Sequence, residues 1–169
     1  RIPIFYSNRH FNSSFGYCIE ANDQNNEDLR LEYSVSINNP ANHLVEIQLD
    51  ISDLNSDKLT LARQKNSPLP GINNLSITDQ QGSIVEYKWD KSLSNVEVIH
   101  LQVAGLNKIT IDYDVDLSFT DVGRDGYSQS FWGLDYAYGA AESQLLFFQP
   151  AMKSSLEEIK IQYSLPDEW

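Results

Sequence analysis

Apolar and polar residues alternate along most of this chain, and this pattern limits its fold more than any other feature. A period of two is typical of strands that have one buried face and one wet face. The clearest runs cover 31–37, 45–51, 96–103, 109–117 and 159–165. No window of about 11 residues keeps its apolar positions at helical spacing. The pattern predicts an all-β chain with at most short helical turns, one of them at 154–158.

Turn residues between the runs indicate which strands are neighbours. The sequence predicts three neighbouring pairs, which are 31–37 with 45–51, 75–78 with 85–89, and 96–103 with 109–117. Within the run at 85–89, the parity of Val85, Tyr87 and Trp89 places all three on the inward face. Since parallel strands need crossovers of a dozen or more residues, these short connections predict an antiparallel β-sandwich of about eight or more strands.

The length of the chain limits the number of domains, and its charge limits the classes of partner. A chain of 169 residues predicts one domain. We expect residues 29–169 to form it and residues 1–28, which end in an Asn- and Asp-rich stretch, to be an N-terminal arm of unknown role. The formal charge of −12 repels a polyanion, which excludes nucleic acid as the default partner. No apolar run approaches the ~20 residues of a membrane span, so an acidic, soluble domain is expected.

The single cysteine and the N-terminal residues do not identify the cellular compartment of the protein. Cys18 is the only cysteine, which excludes an intrachain disulfide and a cysteine-based zinc cluster. The sequence opens on Arg1 without a charged region followed by an apolar run. The cytoplasm and export after signal removal are both compatible with this start.

The histidines do not have the spacing of a protease zinc site. Such a site needs two histidines one helical turn apart with a glutamate beside them. His10, His43 and His100 are far apart, and none lies on a predicted helix. The sequence also has no GxSxG elbow, Walker loop or GxGxxG motif. It therefore predicts no catalytic residue, no zinc ligand and no cofactor in this chain.

An acidic stripe on one predicted strand allows two interpretations. Asp112, Asp114 and Asp116 share the face opposite the buried residues, and Asp121 and Asp125 follow in the next loop. Carboxylates at this spacing are Ca²⁺ ligands in some proteins. An outward acidic stripe also keeps a sheet face solvated and discourages edge pairing. We favour the second interpretation.

Residues 127–138 concentrate five aromatic side chains in twelve positions, among them Trp132, Tyr136 and Tyr138. Trp and Tyr combine apolar area with a polar tip, so such a segment can stack on a sugar or dock a protein surface. The alternative, which we favour, is that these rings fill the open end of the sandwich.

Four motifs follow one another in a particular order between residues 29 and 169. They are a Tyr-x-Val strand with an Asn-Pro turn and His43, an Asp79–Gly82 turn before Lys88, Asp90 and Lys91, a Gly139 and Leu145–Phe147 run before Pro150, and a closing Leu165-Pro166-Asp167-Glu168-Trp169. Their order resembles the N-terminal domain of the M61 peptidases, the glycyl aminopeptidase family. The family's Trp-x-Pro-Gly loop corresponds here to Pro68-Leu69-Pro70-Gly71, with Leu69 in place of the expected aromatic residue.

The resemblance implies a β-sandwich that packs against a thermolysin-like zinc domain lying C-terminal to it. The HExxH motif belongs to that second domain and does not occur in this chain. We therefore expect a non-catalytic domain that partly walls the cleft of a zinc aminopeptidase, with zinc and the peptide substrate held by the catalytic domain. Interface positions are expected at Pro70, Gly71, Trp132, Tyr136 and Tyr138. The alternatives are an independent carbohydrate- or protein-binding module and a purely structural sandwich.

Overall fold

The computed structural model describes residues 29–38, 43–64, 71–92, 96–116, 131–132, 137–138, 149–150 and 158–165. Every regular element in these ranges is a strand, and no helix in them is long and apolar enough to cross a membrane. The strands are β1 (Arg30–Ser36), β2 (Leu44–Ser52), β3 (Lys58–Gln64), β4 (Gly71–Asp79), β5 (Tyr87–Asp90), β6 (Val96–Gln102), β7 (Lys108–Asp116), β8 (Phe131–Trp132), β9 (Ala137–Tyr138), β10 (Gln149–Pro150) and β11 (Glu158–Ser164). The predicted all-β class is confirmed. The arm at 1–28 and the helical turn at 154–158 lie outside the described residues, apart from Glu158, which begins β11.

Five strands form the larger sheet in the order β11-β1-β2-β7-β4. The predicted pairing of β1 with β2 is confirmed, with Tyr33 opposite Leu49 in an antiparallel ladder. β1 also pairs with β11, but in parallel, with Leu31 opposite Ile159. The long stretch of chain between these two strands supplies the crossover that a parallel pair needs. The sheet is therefore antiparallel except at this one edge.

The smaller sheet has the order β10-β3-β6-β5, and all of its pairs are antiparallel. Its longest ladder joins β3 to β6, with Leu61 opposite Ile99. Two further short strands, β8 and β9, pair with each other in a separate ribbon. The described strands thus form two main sheets and do not close into a barrel.

One of the predicted strand pairings is wrong, and another is limited to the tip of a hairpin. β4 pairs with β7 in the larger sheet, and β5 pairs with β6 in the smaller one. The expected hairpin is reduced to a bridge between Thr78 and Ile84, flanked by backbone hydrogen bonds of 2.9 Å from Asp79 N to Ser83 O and from Val85 N to Ile77 O. β6 and β7 likewise belong to different sheets. Turns nevertheless form at the expected positions. Gly82 and Gly105 have φ of 80° and 75°, values that favour glycine. After the short pairing at the Gly82 turn, and directly after the Gly105 turn, the chain crosses to the other sheet.

One hydrophobic cluster lies between the two sheets. It includes Leu49 and Ile111 from the larger sheet and Leu61 and Ile99 from the smaller one, each fully buried. Burial raises the pKa of the Tyr33 phenol well above its ordinary value, and a smaller part of that rise comes from its neighbour Tyr113. Because both sheets contribute to one cluster, neither can bury its apolar face without the other.

The inner face of the smaller sheet also carries a charged pair. Arg63 and Glu97 follow the same parity as Leu61 and Ile99, and both are buried. Their side chains form an ion pair at 2.7 Å with relative exposures of 2% and 9%. The observed register therefore places both side chains on the inner face of the sheet.

Candidate functional site

The outer face of the larger sheet is polar across its width. Along β7 the buried residues Ile111, Tyr113 and Val115 alternate with carboxylates, as the sequence predicts. Asp114 lies opposite Glu46 on β2, and Asp112 lies opposite Gln48. This arrangement gives the face an acidic strip along the middle strands of the sheet.

A β-bulge on β4 organises one end of the acidic strip. The register shifts between Asn73 and Ser76, and Asn74 there has a φ of 54°, a conformation that Asn tolerates better than most residues. Its side-chain Nδ2 donates a hydrogen bond of 2.6 Å to Oδ2 of Asp114. The bulge therefore aims an amide at a carboxylate that would otherwise add to the repulsion on this face.

One carboxyl group of this strip holds its proton more tightly than an ordinary aspartate does. Partial burial raises the pKa of Asp112, and the charge of Asp50 raises it further. Among the described residues, no group of three or more His, Cys, Asp or Glu side chains is placed to hold a metal ion. Asp121 and Asp125, the other candidate ligands, lie outside the described residues. The solvated acidic face at Asp112, Asp114 and Asp116 therefore stays a prediction, as does the Ca²⁺ site.

A polar depression of about 180 Å³ lies at the opposite end of this face. Its lining residues are Arg30, Leu31, Glu32, Asp50, Ser52, Lys108 and Lys160. Asp50 accepts a hydrogen bond of 2.6 Å from Thr110 Oγ1 and forms an ion pair with Lys108 at 3.1 Å. Arg30 and Asp53, both about half exposed, form another pair at 3.3 Å. Of the lining cations, Lys108 is thus paired within the depression, and Arg30 is paired with Asp53, which is not a lining residue.

A second depression of about 300 Å³ lies where the β2–β3 connection meets the β6–β7 turn. Backbone hydrogen bonds build it, from Leu54 N to Asn107 O at 3.2 Å and from Val103 N to Asp57 O at 2.8 Å. Its wall combines turn backbone with Asn, Ser and Asp side chains. Neither depression, as far as the described ranges show it, joins a nucleophile to a general base.

The predicted interface residues fall in different places. Gly71 is the first residue of β4 and lies opposite Asp116, the last residue of β7. Trp132 pairs with Ala137, whereas Tyr138 pairs with Phe131. Because consecutive strand positions belong to opposite faces, the positions of Trp132 and Tyr138 do not share one face of the ribbon. Pro70 and Tyr136 lie outside the described residues.

Two polar pairs in the structure, Asn74 with Asp114 and Arg63 with Glu97, have no counterpart in the sequence predictions. The partnership of Asn74 with Asp114 depends on a bulge, which sequence alternation does not reveal. Arg63 and Glu97 could have been found, because each falls at an inward position of its run. A charge at an inward position predicts a partner of opposite charge on a neighbouring strand.

Comparison with known proteins gives a likeness of fold. No protein-family model matches the sequence, and no curated protein matches it. An aminopeptidase N family protein from Idiomarina loihiensis superposes with a TM-score of 0.61 at 16% identity, over 82% of this chain and 22% of that one. Native yeast LTA4 hydrolase gives a TM-score of 0.44 at 12% identity, over 83% and 23%. An M1 zinc metallopeptidase from Deinococcus radiodurans gives 0.39 at 13% identity, over 83% and 32%.

The chain spans between 22% and 32% of the length of these proteins. Its structural neighbours are aminopeptidase and metallopeptidase proteins, and the TM-score of 0.61 shows that it shares a fold with part of one of them. At 16% identity this likeness concerns the fold alone.

Proposed function

We propose that this chain is a non-catalytic β-sandwich domain of a zinc aminopeptidase and partly walls the cleft of a catalytic domain in the same protein. The observation that carries the proposal is the match of 82% of this chain to 22% of an aminopeptidase N family protein. Such a ratio is expected when one domain of a larger enzyme is compared with the whole. The two-sheet core supports it, because it forms a complete unit within the chain.

The finer assignment is to the M61 family, and the order of the sequence motifs supports it. In this proposal residues 29–169 are the N-terminal sandwich domain and residues 1–28 an arm. A thermolysin-like domain then follows, carries HExxH, binds zinc and takes the peptide substrate.

We place the contact with the catalytic domain at the end of the sandwich where β4 begins and β7 ends. Gly71 and Asp116 lie opposite each other there. The sequence on either side leads to Pro70 and to the aromatic segment with Trp132, Tyr136 and Tyr138. These are the positions at which the proposal expects apolar area to be covered by the partner domain.

The first experiment measures hydrolysis of glycyl and alanyl amides and the zinc content of the purified chain. The chain alone is expected to show neither activity nor stoichiometric zinc. Hydrolysis that a chelator abolishes would contradict a non-catalytic role.

The second experiment reads the coding sequence for about 100 residues beyond Trp169. An HExxH there would support the peptidase proposal, and a stop codon would contradict it. Where the motif is present, the longer protein is compared with its Trp132→Ala variant. A domain interface predicts a changed KM or a looser association of the two domains.

A third experiment separates the accessory domain from a carbohydrate module. Tryptophan fluorescence is followed during titration with a panel of oligosaccharides, using wild type, Trp132→Ala, and Trp89→Ala as the matched control. The proposal predicts no response in any of the three. A saturable change that is lost only in Trp132→Ala would favour the carbohydrate module.

A further inference from the structure

No tight turn connects β3 to β6, so the register of their ladder is not set by a hairpin loop. Residues 65–95 separate the two strands in sequence, so no tight turn fixes which residues pair. Leu59 lies opposite Leu101, and Leu61 lies opposite Ile99. These aliphatic side chains are interchangeable in chemical type and similar in size.

A slip of two residues keeps the alternation of inward and outward positions intact. In one direction it sets Leu61 opposite Leu101, and in the other it sets Leu59 opposite Ile99. Both pairings are aliphatic, so apolar burial on the inner face discriminates poorly between the native and the slipped ladders. On the opposite face the ladder has one buried apolar pair, Ala62 with Val98. Another feature of the inner face must therefore distinguish the native ladder from the slipped ladders.

Arg63 and Glu97 occupy the next inward positions and are directly opposite each other. Arg63 Nη2 donates to Glu97 Oε2 at 2.7 Å, and both side chains are buried. One slip would place Arg63 opposite Ile99, and the other would place Glu97 opposite Leu61. Each slip therefore leaves a buried charge facing an aliphatic side chain, which is strongly unfavourable.

We propose that the buried Arg63–Glu97 pair is a register lock for the β3–β6 ladder. Its role is to reject slipped pairings rather than to add stability, because a buried ion pair is often no more stabilising than an apolar pair of similar volume. The lock lies one residue before the end of β3, where the connection to Gly71 begins. A two-residue slip would move that starting point by about 7 Å along β6.

Engineered cysteine pairs on the outer face can report the register. Thr60 Oγ1 lies 3.3 Å from His100 Nδ1, so Thr60→Cys with His100→Cys is within disulfide reach in the native ladder. Thr60→Cys with Gln102→Cys reports one slip, and Lys58→Cys with His100→Cys reports the other. All are made with Cys18→Ser and equilibrated in a glutathione buffer.

The register is then measured in three backgrounds: unchanged, Arg63→Leu/Glu97→Leu, and Arg63→Lys. The proposal predicts that the unchanged and Arg63→Lys proteins form the native disulfide alone. The double-leucine protein is expected to fold cooperatively and to form a slipped disulfide in more than about one-tenth of molecules. Arg63→Lys is the matched control because it keeps a cation opposite Glu97.

Several results would overturn the lock. A double-leucine protein that forms only the native disulfide would show that packing sets the register. A double-leucine protein that does not fold would show that the pair is needed for stability itself. Slipped disulfides in the unchanged or Arg63→Lys protein would show that the charges do not discriminate. These measurements concern one ladder and do not depend on the peptidase proposal.

Discussion

At the scale of single residues, Trp89 shows that a side chain on the inward face of an edge strand is only partly buried. It lies opposite Ile99 and packs, partly buried, against the core cluster, while Lys91 Nζ lies 3.7 Å from its ring centroid. Tyr87 lies opposite the buried Leu101 and so shares the predicted inward face, but it is 39% exposed, whereas Val85 is buried. β5 has only four residues and is the edge strand of its sheet among the strands that the structure describes.

Replacing Trp89 with alanine is expected to lower the free energy of unfolding by about 2 to 3 kcal/mol, below the range for a fully buried Trp. Urea denaturation measures the loss. Tyr87→Ala is the control on the same strand face and should cost less than about 1 kcal/mol. Equal losses in the two variants would contradict the packing described for Trp89.

Asp112 offers a test of electrostatics on the acidic face. NMR titration of its carboxyl carbon should give a pKa above the ordinary value of 3.8, and Asp50→Asn should lower it. Because the folded pKa is raised, the folded state holds the proton more tightly. Stability attributable to Asp112 therefore falls as the pH rises from the unfolded pKa through the folded one.

Asp112→Asn should remove that pH-dependent loss and stabilise the protein at neutral pH by well under about 1 kcal/mol, since solvent screens this exposed group. A titration at or below 3.8 in wild type would contradict the prediction.

At the scale of elements, the bulge of β4 is held by one backbone conformation and one hydrogen bond. Asn74 has a φ of 54° and donates to Asp114. Asn74→Val puts a β-branched residue in that conformation and should cost about 1 to 3 kcal/mol. Asn74→Gly keeps the conformation, loses the hydrogen bond and should cost about 0.5 to 1.5 kcal/mol. The losses are measured by thermal or urea unfolding. Equal losses of stability in Asn74→Val and Asn74→Gly would show that the backbone conformation is unimportant.

At the scale of the whole molecule, one cluster joins both sheets, so they should unfold together. Leu49 is fully buried in the larger sheet, and Leu61 is fully buried in the smaller. Leu49→Ala should cost about 2 to 5 kcal/mol. Hydrogen exchange should show equal loss of protection at core amides of β2 and β3. Loss confined to β2 and its neighbours would indicate two independent units.

The sequence by itself determined the properties that depend on near neighbours along the chain. Alternation predicted the strands and the outward parity of Asp112, Asp114 and Asp116, because side chains of a strand alternate whatever its partner. The turn residues at Gly82 and Gly105 were recognisable because a positive φ favours glycine locally.

Only the tertiary structure decided which strands pair, since pairing depends on contacts between residues far apart in sequence. A turn at Gly82 or Gly105 permits either a hairpin or a crossing between sheets. The crossing is chosen here because β4 and β7 pair in one sheet while β5 and β6 pair in the other. The parallel pairing of β1 with β11 and the hydrogen bond of Asn74 to Asp114 have the same origin. Local sequence permits several strand pairings equally well. Burial of the shared core decides between them, and a local sequence pattern therefore does not predict the outcome.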